Sequence, residues 1–147
     1  MNLVIEALSK AKEECDFDVL YIGANADGVP PYDWVHQTGP LKEVDVSKAL
    51  QICNLMVCYY VDGISSRRGS AIAALDHGIP LISTVGRNTE SIFKDVEFIH
   101  LLSSEPQWFL RDFSKAIKNF DWIDSAPIKE FYMRNFCWKK TFDKLID

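Results

Sequence analysis

The chain has 147 residues, 48% of them hydrophobic, and its 16 Lys and Arg stand against 21 Asp and Glu for a formal net charge of −5. A chain of this length buries roughly two-thirds of its unfolded surface, so one core suffices without a disulfide or metal staple. Seven Gly and six Pro exclude collagen-like and low-complexity classes, nine Phe exclude disorder, and the acidic balance argues against a general nucleic-acid binder, which needs a basic stripe. Any phosphate site must therefore be local. Cys15, Cys53, Cys58 and Cys137 fall at no metal or redox spacing, so reduced thiols and a cytoplasmic location are expected. No stretch approaches the ~18 apolar residues of a membrane span, and the start lacks the basic region of a signal peptide.

Leu3, Ala7, Leu8 and Ala11 recur at helical spacing and predict an amphipathic helix over 2–14, entered from the first residues. Phe17 to Gly23 is a short apolar run that reads as a buried parallel strand, and Trp34 to Thr38 is a second strand closed by Gly39-Pro40. Val46, Ala49, Leu50 and Cys53 mark a helix before Leu55 to Tyr60, apolar on both faces and so expected to be central in its sheet. A helix over 67–77 ends at Gly78, and strands at 79–84 and 97–102 precede a long amphipathic helix carrying Trp108, Phe109, Phe113, Ala116, Ile117 and Phe120. A helical tail at about 128–147, hinged near Asn135, carries Trp138, Phe142, Leu145 and Ile146, which need something to pack on. Alternating strands and helices specify an α/β domain with a mainly parallel sheet, here a single domain over 1–147.

Ligands of open α/β sheets bind beyond the carboxyl ends of the strands. The richest such loop is Asp62-Gly63-Ile64-Ser65-Ser66-Arg67-Arg68-Gly69-Ser70, which sets hydroxyls, guanidiniums and glycines before a helix. Unpaired N–H groups at a helix start suit an anion, Gly69 admits close backbone approach, Arg67 and Arg68 offer bidentate contacts, and Ser65, Ser66 and Ser70 offer hydroxyls. The plainer alternative is that Ser65 or Ser66 caps the helix and the arginines are solvated. Against the helix dipole, an Arg pair at an N-terminus is unfavourable unless an anion is near.

The stretch Gly63 to Glu90, with its polar loop, small-residue helix, Gly78-Ile79-Pro80, hydrophobic strand and later Glu90, resembles the donor-binding core of group 1 (family 4) glycosyltransferases of the two-domain GT-B type. Asn135-Phe136-Cys137-Trp138-Lys139-Lys140 resembles the segment that opens that family's last helix. The resemblance implies a Rossmann-like three-layer domain that binds a nucleotide diphosphate sugar for glycosyl transfer in polysaccharide or glycoconjugate biosynthesis. It implies retention of configuration and no cofactor or metal; the Asp-x-Asp of Asp16-Phe17-Asp18 sits near the opposite end of its strand, and its carboxylates read as solvated loop charges. Glu90 resembles the late glutamate facing the donor; its alternative is the first turn of a helix capped by Thr89. Gly39-Pro40-Leu41 either border the nucleobase or form a turn. His36 and His77 read as structural, and His100 has no evident partner.

Two departures qualify the resemblance. Ser65 and Ala73 stand where the family places two glutamates, which leaves Asp62 and Glu90 as the catalytic candidates. The family's first central strand and the amino-terminal acceptor domain are also missing, so the sheet is expected to lack its first strand and the chain to be an inactive fragment of a longer enzyme. That enzyme is one for which peripheral membrane association is compatible, and no nucleic-acid partner is expected. The alternative function is a non-catalytic, flavodoxin-like module for nucleotide binding or protein interaction.

Overall fold

The computed structural model describes residues 2–24, 27–121, 123–137 and 139. The described chain is α/β and Rossmann-like, with its strands in two parallel sheets. It divides into two compact units, one of residues 1–53 and 105–121, the other of residues 54–104 and 122–147.

In the first unit, helix α1 (Leu3–Lys12) opens with the Asn2 side chain accepting from the Val4 amide and buries Ile5, Ala7, Leu8 and Ala11. This apolar stripe packs on α4 (Pro106–Lys118), whose Phe109, Phe113 and Ala116 are also buried. Burying each large apolar side chain contributes roughly 1.5–3 kcal/mol, so the interface needs little help from the exposed Lys118–Glu14 ion pair at 3.0 Å. Strands β1 (Val19–Tyr21) and β2 (Val35–Gln37) pair in parallel, with Leu20 opposite His36. Helix α2 (Glu43–Gln51) carries two acidic residues in its first turn, where they complement the helix dipole.

The second unit is built on a parallel sheet in the order β3-β4-β5, from Met56–Val57, Leu81–Val85 and Ile99–Ser103. Strand β4 is the central one, with Leu81, Ile82, Ser83 and Thr84 buried. The run 55–60, expected to be central, instead forms the two-residue edge of this sheet, and its Met56 and Val57 are only half-buried. Its ladder begins with the Met56 amide on the Pro80 carbonyl and the Cys58 amide on the Ile82 carbonyl, and then passes to a side chain. The Thr84 hydroxyl accepts from the Tyr60 amide at 2.9 Å and donates to the Tyr60 carbonyl at 2.6 Å, so backbone pairing stops while the polar groups stay satisfied. The two strands expected to flank a missing one, β1 and β3, belong to different sheets.

Helix α3 (Gly69–Asp76) buries Ala71, Ala74 and Leu75. It ends where Gly78, at φ +71, lets the Ile79 amide reach the Ala74 carbonyl and the Gly78 amide reach the Leu75 carbonyl. Helix α5 (Ser125–Asn135), capped by the Asp124 carboxylate, lies against α3 so closely that a Cβ on Gly78 would stand 2.7 Å from that of Ser125. Phe131 meets Phe98 edge-on at 5.4 Å, and Phe136 stacks on the buried Phe93 at 5.7 Å. The helix ends at Asn135, where the hinge is expected. Trp138, Lys140, Phe142, Leu145 and Ile146 lie outside the described residues.

Candidate functional site

The loop between β3 and α3 folds against the loop after β4, and both lie in the second unit. Gly63, at φ +87, closes a turn by donating its amide to the Tyr60 carbonyl. A Cβ there would fall 2.1 Å from the Thr89 hydroxyl and 2.4 Å from the Gly86 nitrogen, and one on Gly86 would fall 2.5 Å from the Asp62 carbonyl carbon. Only glycine allows this approach. Three further ties fix the loops: the Ile64 amide donates to the Thr84 carbonyl, the Asn88 amide to the Asp62 carbonyl, and the Gly86 amide to the Thr89 hydroxyl. Thr89 therefore braces its own loop.

Side chains add two polar crossings between the loops. Arg87 Nε lies 2.9 Å from Asp62 Oδ1, and Glu90 Oε1 accepts from both the Ser66 amide at 3.1 Å and the Ser66 hydroxyl at 2.8 Å. Glu90 precedes a short 3₁₀ turn, Ser91–Phe93, without capping it through its side chain. Neither carboxylate nominated from the sequence is idle. Both Asp62 and Glu90 hold the opposite loop.

Helix α3 receives no serine cap. Arg68 occupies the N-cap position without a side-chain capping bond, Ser66 is engaged by Glu90, and a turn is closed by the Arg68 amide on the Ser65 carbonyl. The helix start instead meets Tyr60, whose phenol pairs with the Ser70 hydroxyl at 2.7 Å and faces the Ala71 amide and the Cys58 thiol. Burial is the leading cause that raises the Tyr60 phenol above its ordinary pKa, with the Cys58 charge adding to it. Burial likewise pushes the Cys58 thiol up, against hydrogen bonds from Tyr60 and Ser70 that pull it down. Both groups are protonated at neutral pH and serve as packing and hydrogen-bonding elements.

The Tyr60 ring also carries a cation. The Arg68 guanidinium lies over it with its carbon 4.7 Å from the ring centroid, and the buried Arg68 Nε has no hydrogen-bond partner among the described residues. Arg87, Arg111 and Arg134 each meet a carboxylate within 2.9 Å. Among the described residues, Arg67 and Arg68 meet none. Gly69 has nothing within 4 Å of where a Cβ would stand, so the backbone at the start of α3 is open to approach.

Ser65, Ser66, Arg67, Arg68, Gly69, Ser70 and Glu90 thus come together around one loop pair. Gly39 belongs to the first unit, where it takes φ +67 and forms an isolated bridge with Gly23. His36 stands 3.6 Å from Asp18, and His77 Nδ1 lies 2.7 Å from the Ala73 carbonyl at the end of α3. Sequence reasoning passed over Tyr60, Thr84 and Arg87. An aromatic residue closing a strand two residues before Asp62, with an arginine in the facing loop, is the pattern that could have pointed to Tyr60 and Arg87.

Among the described residues no group of three or more His, Cys, Asp or Glu forms a metal cluster, and no helix is long and apolar enough to cross a membrane. The chain matches no family model and no curated protein.

Proposed function

We propose that this chain binds the diphosphate of a nucleotide sugar at the loop between β3 and α3, as the donor-binding domain of a glycosyltransferase. The observation that carries the reading is the pair Arg67 and Arg68: in a chain of net charge −5, two adjacent arginines at a helix start meet no carboxylate among the described residues, and one of them is stacked on Tyr60. An unpaired guanidinium held on an aromatic face keeps its donors oriented and partly desolvated, which suits bidentate contact with phosphate oxygens. The dipole of α3 adds to the attraction, and the open backbone at Gly69 leaves room for a phosphate.

In the reaction so proposed, negative charge builds on the departing diphosphate as the glycosidic bond to the sugar breaks. Arg67, Arg68 and the dipole of α3 stabilise that charge, and Arg68 is already held on the Tyr60 ring before reaction. Sugar class, acceptor and an acceptor-binding domain belong to the longer enzyme that the resemblance implies. The order of Gly63 to Glu90 and the Gly78-Ile79-Pro80 turn support it. A second reading, a non-catalytic nucleotide-binding module, is favoured by one feature: Asp62 and Glu90 are both committed to bracing contacts.

Calorimetric titration of UDP, GDP and ADP into the chain tests the binding step. Saturable binding of at least one is expected, weakened tenfold or more when Arg67 and Arg68 are both changed to Ala. Equal affinity in the double variant contradicts the cradle. In a longer parent enzyme the same double change is expected to raise KM for the donor or lower kcat by a similar factor.

A further inference from the structure

We propose that Glu90 is an internal competitor for the anion: its carboxylate occupies the donors of Ser66 when no ligand is bound, and a diphosphate displaces it. The inference rests on the anion reading given above and concerns the regulation of that site. One carboxylate oxygen of Glu90 takes both the amide and the hydroxyl of Ser66, which is how a phosphate oxygen would be received there. The Ser65–Arg68 turn places those donors two residues before Arg68, whose buried Nε has no hydrogen-bond partner among the described residues. A negative group resting on Ser66 therefore excludes a second one by occupancy and by charge.

The contact is also built to open. Glu90 and Ser66 are both exposed, so solvent replaces the lost hydrogen bonds at little cost. The two loops stay joined without it, through the Asn88–Asp62 and Ile64–Thr84 backbone bonds and the close approach of Gly63 to Gly86. Glu90 can thus leave Ser66 while the cradle keeps its shape. Binding then carries a built-in handicap set by the fraction of molecules in which Ser66 is free.

The test uses inorganic pyrophosphate and the full chain. Glu90→Asp keeps the charge but withdraws the carboxylate by one methylene, so it separates occupancy of Ser66 from simple repulsion. Pyrophosphate is expected to bind this variant about fivefold more tightly than the unaltered chain, with an unchanged thermal midpoint. Equal or weaker binding overturns the competitor role while leaving the anion site standing; silence in both proteins overturns the anion reading and this inference together. Independently of any substitution, the carboxyl-carbon resonance of Glu90 should move as pyrophosphate saturates, at the same midpoint as the Gly69 amide. A moving Gly69 amide beside a static Glu90 carboxyl contradicts the displacement.

Discussion

Both units end a pair of parallel strands in glycine-containing loops, yet the chemistry of the two ends differs. In the first, Gly23 and Gly39 meet in an isolated bridge, the Thr38 hydroxyl donates to the Gly39 carbonyl, and a Cβ on Gly39 would touch nothing within 4 Å. In the second, Gly63 and Gly86 pack backbone on backbone, two carboxylates brace the loops, and two arginines are left over at a helix start. The carboxyl end of a parallel sheet is a place where a site can form, but it does not make one. What distinguishes the second end is that its loops are held by their own contacts, so Arg68 is held over the Tyr60 ring without help from a ligand.

Glycine substitutions test that contrast most severely. Gly63→Ala adds left-handed strain and a clash with Thr89 and Gly86, and should cost about 2–5 kcal/mol in denaturant unfolding. Gly39→Ala carries the strain alone, so about 1–2 kcal/mol is expected; equal losses at the two sites would erase the difference between the ends. Thr84→Val leaves the Tyr60 amide and carbonyl without their hydroxyl partner and should cost roughly 1–3 kcal/mol.

Smaller effects sharpen the same contrast. Arg68→Lys keeps the charge but loses the planar stack on Tyr60, and nucleotide affinity should fall by about tenfold; full retention would mean that charge alone matters. Tyr60→Phe removes the phenol facing the Ala71 amide and should cost about 1 kcal/mol. That phenol titrates above its ordinary value in the native state, so the stability it lends is complete below pH ~10 and declines as pH rises past that value. The variant should flatten that decline relative to the unaltered chain. Gly69→Ala meets no neighbour and should leave stability within about 1 kcal/mol, while a ligand resting on that backbone would bind less well.

The helices were legible because their apolar residues recur at a fixed spacing. Leu3 to Ala11 and Phe109 to Ala116 bury most of the stripes that the pattern predicts, while Trp108, expected on the second stripe, is exposed beneath the Arg111 guanidinium. The run 55–60 was legible as a strand but not in its place or extent, since an apolar composition does not reveal that the Thr84 hydroxyl would take over pairing at Tyr60. The loop Ser65 to Ser70 drew attention through its residue types, and the structure gathers those residues at one helix start. Its internal allegiances were hidden. Glu90 on Ser66 and Arg87 on Asp62 join residues 24 and 25 positions apart, Arg68 on Tyr60 folds back by a turn, and no local periodicity encodes such pairs.

The central claim is that the start of α3 receives a diphosphate. The most direct measurement follows the amide resonances of Ser66 to Ser70 while UDP, GDP and ADP are titrated into the chain. The account predicts saturable shifts at Gly69 and its neighbours for at least one nucleotide, lost in Arg68→Ala, with Gly23 and Gly39 unmoved by the diphosphate group alone. Resonances from Ser66 to Ser70 that stay fixed with all three nucleotides would contradict it.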